Sequence, residues 1–326
     1  MRTRLCPLFL LCTLPLAFTG CTSTPKSAIL QREWTANAEF AGDVWAADLG
    51  SKHGIRLEVR EGSQIIDPIK MVRANTAQFG VASSDRVLHE NSGGAGLVIL
   101  AAASYRSPVV FLASPKLRIK SPADFKNHRI GIQAGTNTDL VFRSLLKTAP
   151  LSLEQVKVVE SGWGTTNFET GALDVLAAFD YDEPIQLDIK KIPYDVIEPE
   201  KFGVHFVGTV YFTSRSLIAE NPQLVQNFMT SLVDGWTQAI AHPQEAIDKV
   251  STLFKMVDKE KEIQSLKRGV PYFAGENGRL LYASRVRWDQ MGQELVTLGV
   301  LKTFAFADNV NYRFLDAALQ ELNAKQ

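Results

Sequence analysis

The side chains best equipped for chemistry fall in a few short stretches, each following an apolar, β-rich run. They are Trp34, Asn37 and Glu39; Ser83, Ser84 and Asp85; Tyr105 and Arg106; Thr136, Asn137 and Thr138; Trp163; and Asp180, Tyr181 and Glu183. Trp34 and Trp163 offer flat apolar faces, and Asn37 an amide that both donates and accepts. Hydroxyls, amides and acids dominate, and Arg106 is the one base. Such a set suits a flat ring bearing amino groups better than a sulfonate or phosphate. Each stretch also has a plainer reading. A Trp after a strand packs in a core, Ser83-Ser84-Asp85 caps the next helix, and Asp180 to Glu183 before Pro184 forms a solvated turn. Gly135 to Thr138 reads either as an anion site on free backbone amides or as a cap.

No pattern points to catalysis. The sequence holds no Gly-x-Ser-x-Gly elbow, Walker loop or His-Glu-x-x-His. The histidines at 53, 89, 128, 205 and 242 lack metal-ligand spacing. The expectation is a binding protein, not an enzyme, with no catalytic residue, metal or cofactor.

Composition narrows the class. Across 326 residues, 35 Lys and Arg balance 35 Asp and Glu. A dedicated nucleic-acid surface needs clustered base, so no nucleic-acid partner is expected. Arg2 and Arg4 precede an apolar run from Leu5 to Phe18, the length of a signal-peptide core. Phe18-Thr19-Gly20-Cys21 resembles a bacterial lipobox; the alternative is an ordinary secretory peptide cleaved nearby. Residues 1–20 are then a lipoprotein signal peptide, and 21–27 a lipidated Cys21 with its tether. Cys6 and Cys12 leave with the signal, so the mature chain has no internal disulfide, Cys metal site or Cys nucleophile. The expected location is the cell envelope, lipid-anchored on the outer face of the cytoplasmic membrane or in the periplasm.

The elements that must position these side chains alternate. A helix over about 41–52 precedes a strand at Gly54–Val59. Ile65–Ala74 reads as a helix, Gln78–Ala82 as a strand running into another helix, and 97–103 and 109–113 as strands. The pattern restarts near Ser114-Pro115, with strands at 129–133, 156–160, 173–179 and 194–197 and a helix at 139–147. His205–Phe212 is a long β-rich run. Beyond Pro222 the spacing of Leu224, Phe228, Leu232, Val233 and Trp236 predicts a long helix, with further helices to 323. The fold class is α/β, in two lobes. Lobe 1 is 28–114 and 213–326, lobe 2 is 115–212, and crossings near 113–118 and 206–213 make a double-crossover hinge. A ligand would sit between the lobes, at the carboxyl ends of the strands.

With these motifs in hand, the chain resembles the thiamine-pyrimidine-precursor binding family, grouped with the alkanesulfonate- and nitrate-binding proteins of ABC importers. The resemblance rests on Glu33-Trp34-Thr35-x-Asn37 with Gly42 and Ala46, on Phe79-Gly80-Val81-Ala82-Ser83-Ser84, and on Pro122-x-Asp124-Phe125-Lys126. Gly171-Ala172-Leu173-Asp174-Val175 with Tyr181 and Glu183, and Asn221-Pro222 through Gly235, extend it. It implies a type II periplasmic binding protein that captures a small solute for a permease and ATPase complex, as a monomer. Trp34 and Asn37 would contact the ring, Ser83 and Ser84 would lie in the cleft, and Tyr181 and Glu183 would close from the second lobe. The family's usual Pro is Ala36 here, and its usual polar residue is Phe40. Sulfonate, taurine or nitrate held on the amides of 135–138 is the alternative ligand. A sensory or structural lipoprotein contacting a membrane partner is the alternative class.

Overall fold

A computed structural model describes residues 25–63, 65–255 and 258–324. The expected signal peptide, Cys21 and the start of its tether lie outside the described residues. The end of that tether is corrected. Lys26 and Ser27 already pair with Ile55 and Arg56, because their backbone groups find partners on the neighbouring strand.

The strands form two five-stranded sheets, ordered β2-β1-β3-β10-β4 and β7-β6-β8-β5-β9. The first contains β1 (Lys26–Arg32), β2 (Ile55–Arg60), β3 (Phe79–Ser83), β4 (Leu97–Ala102) and β10 (Thr209–Ser214). The second contains β5 (Val109–Ala113), β6 (Arg129–Ile132), β7 (Lys157–Glu160), β8 (Val175–Phe179) and β9 (Asp195–Ile197). In the first, β1 is parallel to β2 and β3, and β10 runs antiparallel to β3 and β4. In the second, β6 is parallel to β7 and β8, and β5 runs antiparallel to β8 and β9. The lone antiparallel strand of each sheet is the one that arrives from the other lobe.

The chain therefore changes lobe earlier than expected. Residues 103–108 and 203–208 make the crossings, and β5, assigned above to lobe 1, pairs with β8 in the second sheet. Val109–Ala113 is apolar throughout and buried, and such a run fits either sheet until its partner is seen. The two crossings bond to each other. Gly208 N–H donates to the Ser104 carbonyl (3.1 Å), and Ser107 N–H to that of Phe206 (2.8 Å). A Cβ at Gly208 would lie 2.1 Å from Ser104 Oγ, so glycine lets the crossings approach.

Helix Ala41–Leu49 lies on helix Pro222–Ala241, where a Cβ on Gly235 would meet the Gly42 carbonyl at 2.4 Å. Phe228 of the long helix stacks on Phe79 of β3, ring centroids 3.8 Å apart. Leu224, Phe228, Leu232, Val233 and Trp236 are all buried, as their spacing predicts. One apolar cluster joins Val87 and Leu97 of the first lobe to Phe111 and Phe142 of the second through Phe206, Trp288 and Met291. The lobes thus share a core as well as their crossings. No helix among the described residues is long and apolar enough to cross a membrane.

Candidate functional site: the cleft between the lobes

A cavity of about 810 Å³ opens between the lobes. Its walls are loops at the ends of parallel strands: residues of 33–39 after β1, Ser63 and Ile65 to Asp67 after β2, Ser83 on β3, Gly135 to Asn137 after β6, Trp163 and Gly164 after β7, and Tyr181 to Glu183 after β8. Parallel strands all end at one edge of their sheet, so the loops that follow them converge.

The mouth is aromatic. Trp34 of one lobe faces Trp163 of the other, with centroids 6.2 Å apart and planes tilted by 56°. Both are far from buried, 40% and 48% exposed, and Trp163 meets Phe179 edge-on at 5.7 Å. Ile65, also at the cavity, is 93% exposed. Beside them, Arg86 pairs with Glu33 and, at 3.4 Å, with Asp67, which also holds Lys70 at 3.7 Å. Glu33 further accepts the Ser83 N–H (3.0 Å).

The floor is buried and polar. The Arg32 guanidinium is bonded to Asp43 and, at 3.1 Å, to Glu39; its face covers Phe40 at 4.3 Å. Asp43 also accepts from Tyr211, whose oxygen accepts the Trp236 indole N–H (2.7 Å). Tyr181 reaches across from the second lobe and donates to Glu39 at 2.5 Å, its ring set against Tyr272 and Phe273. Burial holds the Tyr181 phenol well above its ordinary range, so it stays a donor. Glu183 accepts the Phe179 N–H (2.8 Å), yet burial, aided by the neighbouring Asp182 charge, pushes its carboxyl from 4.5 to about 7.

A helix far along the chain, Lys259–Phe273, supplies the remaining wall through Lys261, Glu262 and Ser265. It ties the second lobe to the first. Lys261 pairs with Asp182, Arg268 with Asp180 (2.7 Å), and Tyr272 donates to Asp180 (2.8 Å). On the other side, Glu262 accepts the Ala38 N–H from the first loop (2.7 Å).

Of the residues singled out in the sequence, Trp34, Asn37, Glu39, Ser83, Thr136, Asn137, Trp163, Tyr181 and Glu183 line the cavity. The others do not. Ser84 is buried behind it, its hydroxyl donating to the Val207 carbonyl (2.8 Å) of the second crossing. Asp85 accepts from the Asn137 amide (3.2 Å), an interlobe bond, and burial raises its pKa. Tyr105 sits under Arg287, and Arg106 lies over the Tyr272 ring at 4.3 Å, so the expected cleft base is elsewhere. Thr138 is buried within its own turn, bonded to Gln133 (2.8 Å). Asp180 is taken by Arg268 and Tyr272. Phe40 is no ligand contact either: it is core, edge-on to Phe254.

Two walls escaped the sequence reading. Ile65 to Asp67 read as the start of a helix, but the helix begins at Pro68, capped by Asp67. Asp-Pro at a cap and first helical position was the available signal. Nothing local marks Lys261, Glu262 or Ser265, because the long-range packing of their helix, not their spacing, brings them to the cleft.

A family model described as NMT1/THI5 like matches residues 37–246. The riboflavin-binding protein RibY of Chloroflexus aurantiacus is 25% identical over 264 residues, 78% of this chain and 74% of that protein. Among solved structures, the periplasmic aliphatic sulphonate binding protein SsuA from Escherichia coli aligns with a TM-score of 0.69 at 14% identity, covering 89% of this chain and 91% of that one. The periplasmic nitrate-binding protein NrtA from Synechocystis PCC 6803 aligns with a TM-score of 0.67 at 13% identity, covering 92% and 89%. These likenesses show the two-lobe periplasmic binding protein fold.

Proposed function

The chain belongs to the NMT1/THI5-like family, and from that premise we propose that it is the solute-binding lipoprotein of an ABC importer. It captures a flat, amino-bearing heterocycle, such as a thiamine pyrimidine precursor, between its lobes. Cys21 would carry the lipid, and a permease with its ATPase would receive the ligand from the closed form.

The relatives' names span riboflavin, sulfonate and nitrate, so the ligand has to be argued from the cleft. One observation carries the choice: every cation lining the cavity is already held by a carboxylate. Arg32 is held by Asp43 and Glu39, Arg86 by Glu33 and Asp67, Lys70 by Asp67, and Lys261 by Asp182 and Glu262. A sulfonate or nitrate would compete with these carboxylates at Arg32, Arg86 and Lys261, while Lys70, 3.7 Å from Asp67 and mostly exposed, is the loosely held one. Two of the four amides expected to receive it are engaged, Gly135 N–H with Asp139 (3.3 Å) and Thr136 N–H with the Gln133 carbonyl (3.3 Å), which leaves those of Asn137 and Thr138 at the start of helix Asn137–Thr148. Facing indoles and free carboxylate lone pairs instead favour a neutral or cationic ring with N–H donors. At about 810 Å³ the cavity lies near the top of the roughly 300–1,000 Å³ usual for drug-sized ligands. It has room for more than one ring.

The test is a thermal-shift panel on the lipid-free chain from Thr22, with aminopyrimidines, riboflavin, taurine and nitrate, alongside mass spectrometry of any molecule that co-purifies. Stabilisation by a flat heterocycle is expected. Stabilisation by taurine or nitrate alone would replace this ligand class with the anionic one, and no ligand at all would favour a lipoprotein that contacts a membrane partner.

A further inference from the structure

We propose that the protein stands on its membrane by the pole of the first lobe opposite the cleft, which rests on anionic lipid headgroups and leaves the cleft and the second lobe farthest from the bilayer. The inference rests on the lipoprotein reading above, in which Cys21 carries the lipid.

Reach sets the distance. Lys26, the first residue of β1, follows Cys21 by five residues. An extended chain covers at most about 3.6 Å per residue, so the start of β1 is never more than about 18 Å from the lipidated residue. β1 then runs to Arg32 at the cavity wall. At about 3.3 Å per residue it carries the chain roughly 20 Å away from its start. The second lobe lies beyond the cleft. The pole where β1 begins is thus the part of the fold that the tether holds nearest the bilayer.

Topology gathers a defined surface there. β1, β2 and β3 are parallel and begin at this pole, while β10 runs against β3 and β4 and ends there. Lys26 pairs with Ile55 at the start of β2, and Ser214 at the end of β10 with Leu97 at the start of β4. Helix Arg215–Glu220 continues from β10 to Asn221, whose side chain accepts from Lys26 Nζ (3.2 Å).

The charges left uncompensated on this surface are positive. Lys26, Lys52, Arg56 and Arg215 are exposed. Lys52 is paired with Asp234 (3.1 Å), and Arg73 with Glu90 (3.8 Å). Lys26 is bonded to an amide and Arg215 to the Asp308 carbonyl, so these two and Arg56 have no carboxylate partner among the described residues. Glu220 and Asp308 are the exposed acids beside them. Anionic headgroups attract such cations over about a Debye length, roughly 8 Å at physiological salt, and the tether keeps the pole close enough to fall into that field. Lys116, just past the end of β5, and Lys126, just before β6, mark the opposite end of the molecule and are also exposed.

The test uses the mature chain, whose single cysteine is Cys21. That cysteine is coupled to a maleimide lipid in vesicles of phosphatidylglycerol with phosphatidylcholine, or of phosphatidylcholine alone. Lysine acetylation is then mapped by mass spectrometry against the uncoupled protein. On the anionic vesicles Lys26 and Lys52 should react several-fold more slowly, and Lys116 and Lys126 at an unchanged rate. Arg56→Glu with Arg215→Glu, both at exposed positions that leave the fold intact, should restore the reactivity of Lys52. Lys52 reacting as fast as in the uncoupled protein, or protection of Lys116 and Lys126 instead, overturns the orientation and leaves the lipoprotein reading standing. Protection that is equal on both vesicles and unmoved by the double variant overturns the headgroup contact. In parallel, protein extracted from its own membranes is weighed intact. Absence of lipid on Cys21 overturns the proposal together with the reading it rests on.

Discussion

At the mouth of the cleft Trp34 and Trp163 keep 40% and 48% of their surface exposed, whereas at the floor Arg32 keeps 2% and Asp43 none. Both regions line or support the same cavity, but they are held in place by different physics. The indoles meet each other, and Trp163 meets Phe179, while much of each ring stays exposed. Exposed apolar faces are poorly placed unless something covers them. The floor is a buried charge network in which each group satisfies another, and losing one member strands the rest. The mouth should therefore tolerate substitution without loss of stability and pass the whole effect to binding. The floor should unfold first.

The largest effect tests that division at the floor. Arg32→Met leaves Asp43 and Glu39 without their cation, and breaking a buried pair from one side costs about 3–5 kcal/mol. Denaturant unfolding should show a loss of that size; a loss near zero would mean that the network is not what holds this wall.

Trp34→Ala comes next and belongs to the mouth. Stacking of an aromatic ring on a base-like ligand is worth about 1–3 kcal/mol, so affinity for a heterocycle should fall roughly tenfold to a hundredfold. Stability should move by no more than about 0.5 kcal/mol, as for surface positions generally. If melting drops while affinity holds, Trp34 is core and the contrast between mouth and floor is wrong.

Glu183 sharpens the comparison through pH. Its folded carboxyl is raised from 4.5 to about 7 by burial, so the folded state binds a proton that the unfolded chain has already released. That contribution to stability is fully present below the unfolded value and lost as pH rises through about 7. Glu183→Gln should flatten the decline in melting temperature between those limits. An unaltered profile would place the titration elsewhere.

The smallest effect concerns the ties between lobes. Lys261 and Asp182 are part-exposed, 17% and 37% at the side chain, so Lys261→Met should change stability by less than about 1 kcal/mol. It should instead enlarge the ligand-free protein in small-angle scattering, because one of the bonds closing the cleft is gone. An unchanged radius would leave the shared apolar core and the other ties as sufficient to hold the lobes together.

Much of this architecture was legible because strand and helix periods differ, and because parallel strands deliver the loops that follow them to one edge. Trp34, Asn37, Tyr181 and Glu183 were found that way. The sheet membership of Val109–Ala113 was not legible, since an apolar run does not name its partner. Ser84 and Asp85 misled because a polar pair after a strand can turn either way: here Ser84 bonds the second crossing and Asp85 the opposite lobe. Arg106 misled for a similar reason, its guanidinium resting on Tyr272 rather than in the cleft. Ser265 carries no local mark at all. Only the fold, by laying helix Lys259–Phe273 against both lobes, shows that it is buried at the cavity wall, its hydroxyl without a partner among the described residues.

The most direct test of the central claim is a calorimetric titration of wild type and the Trp34→Ala, Trp163→Ala double variant with an aminopyrimidine, riboflavin, taurine and nitrate. Wild type should bind a flat heterocycle, and the double variant should lose at least tenfold in affinity. Binding of taurine or nitrate that survives removal of both indoles would contradict it.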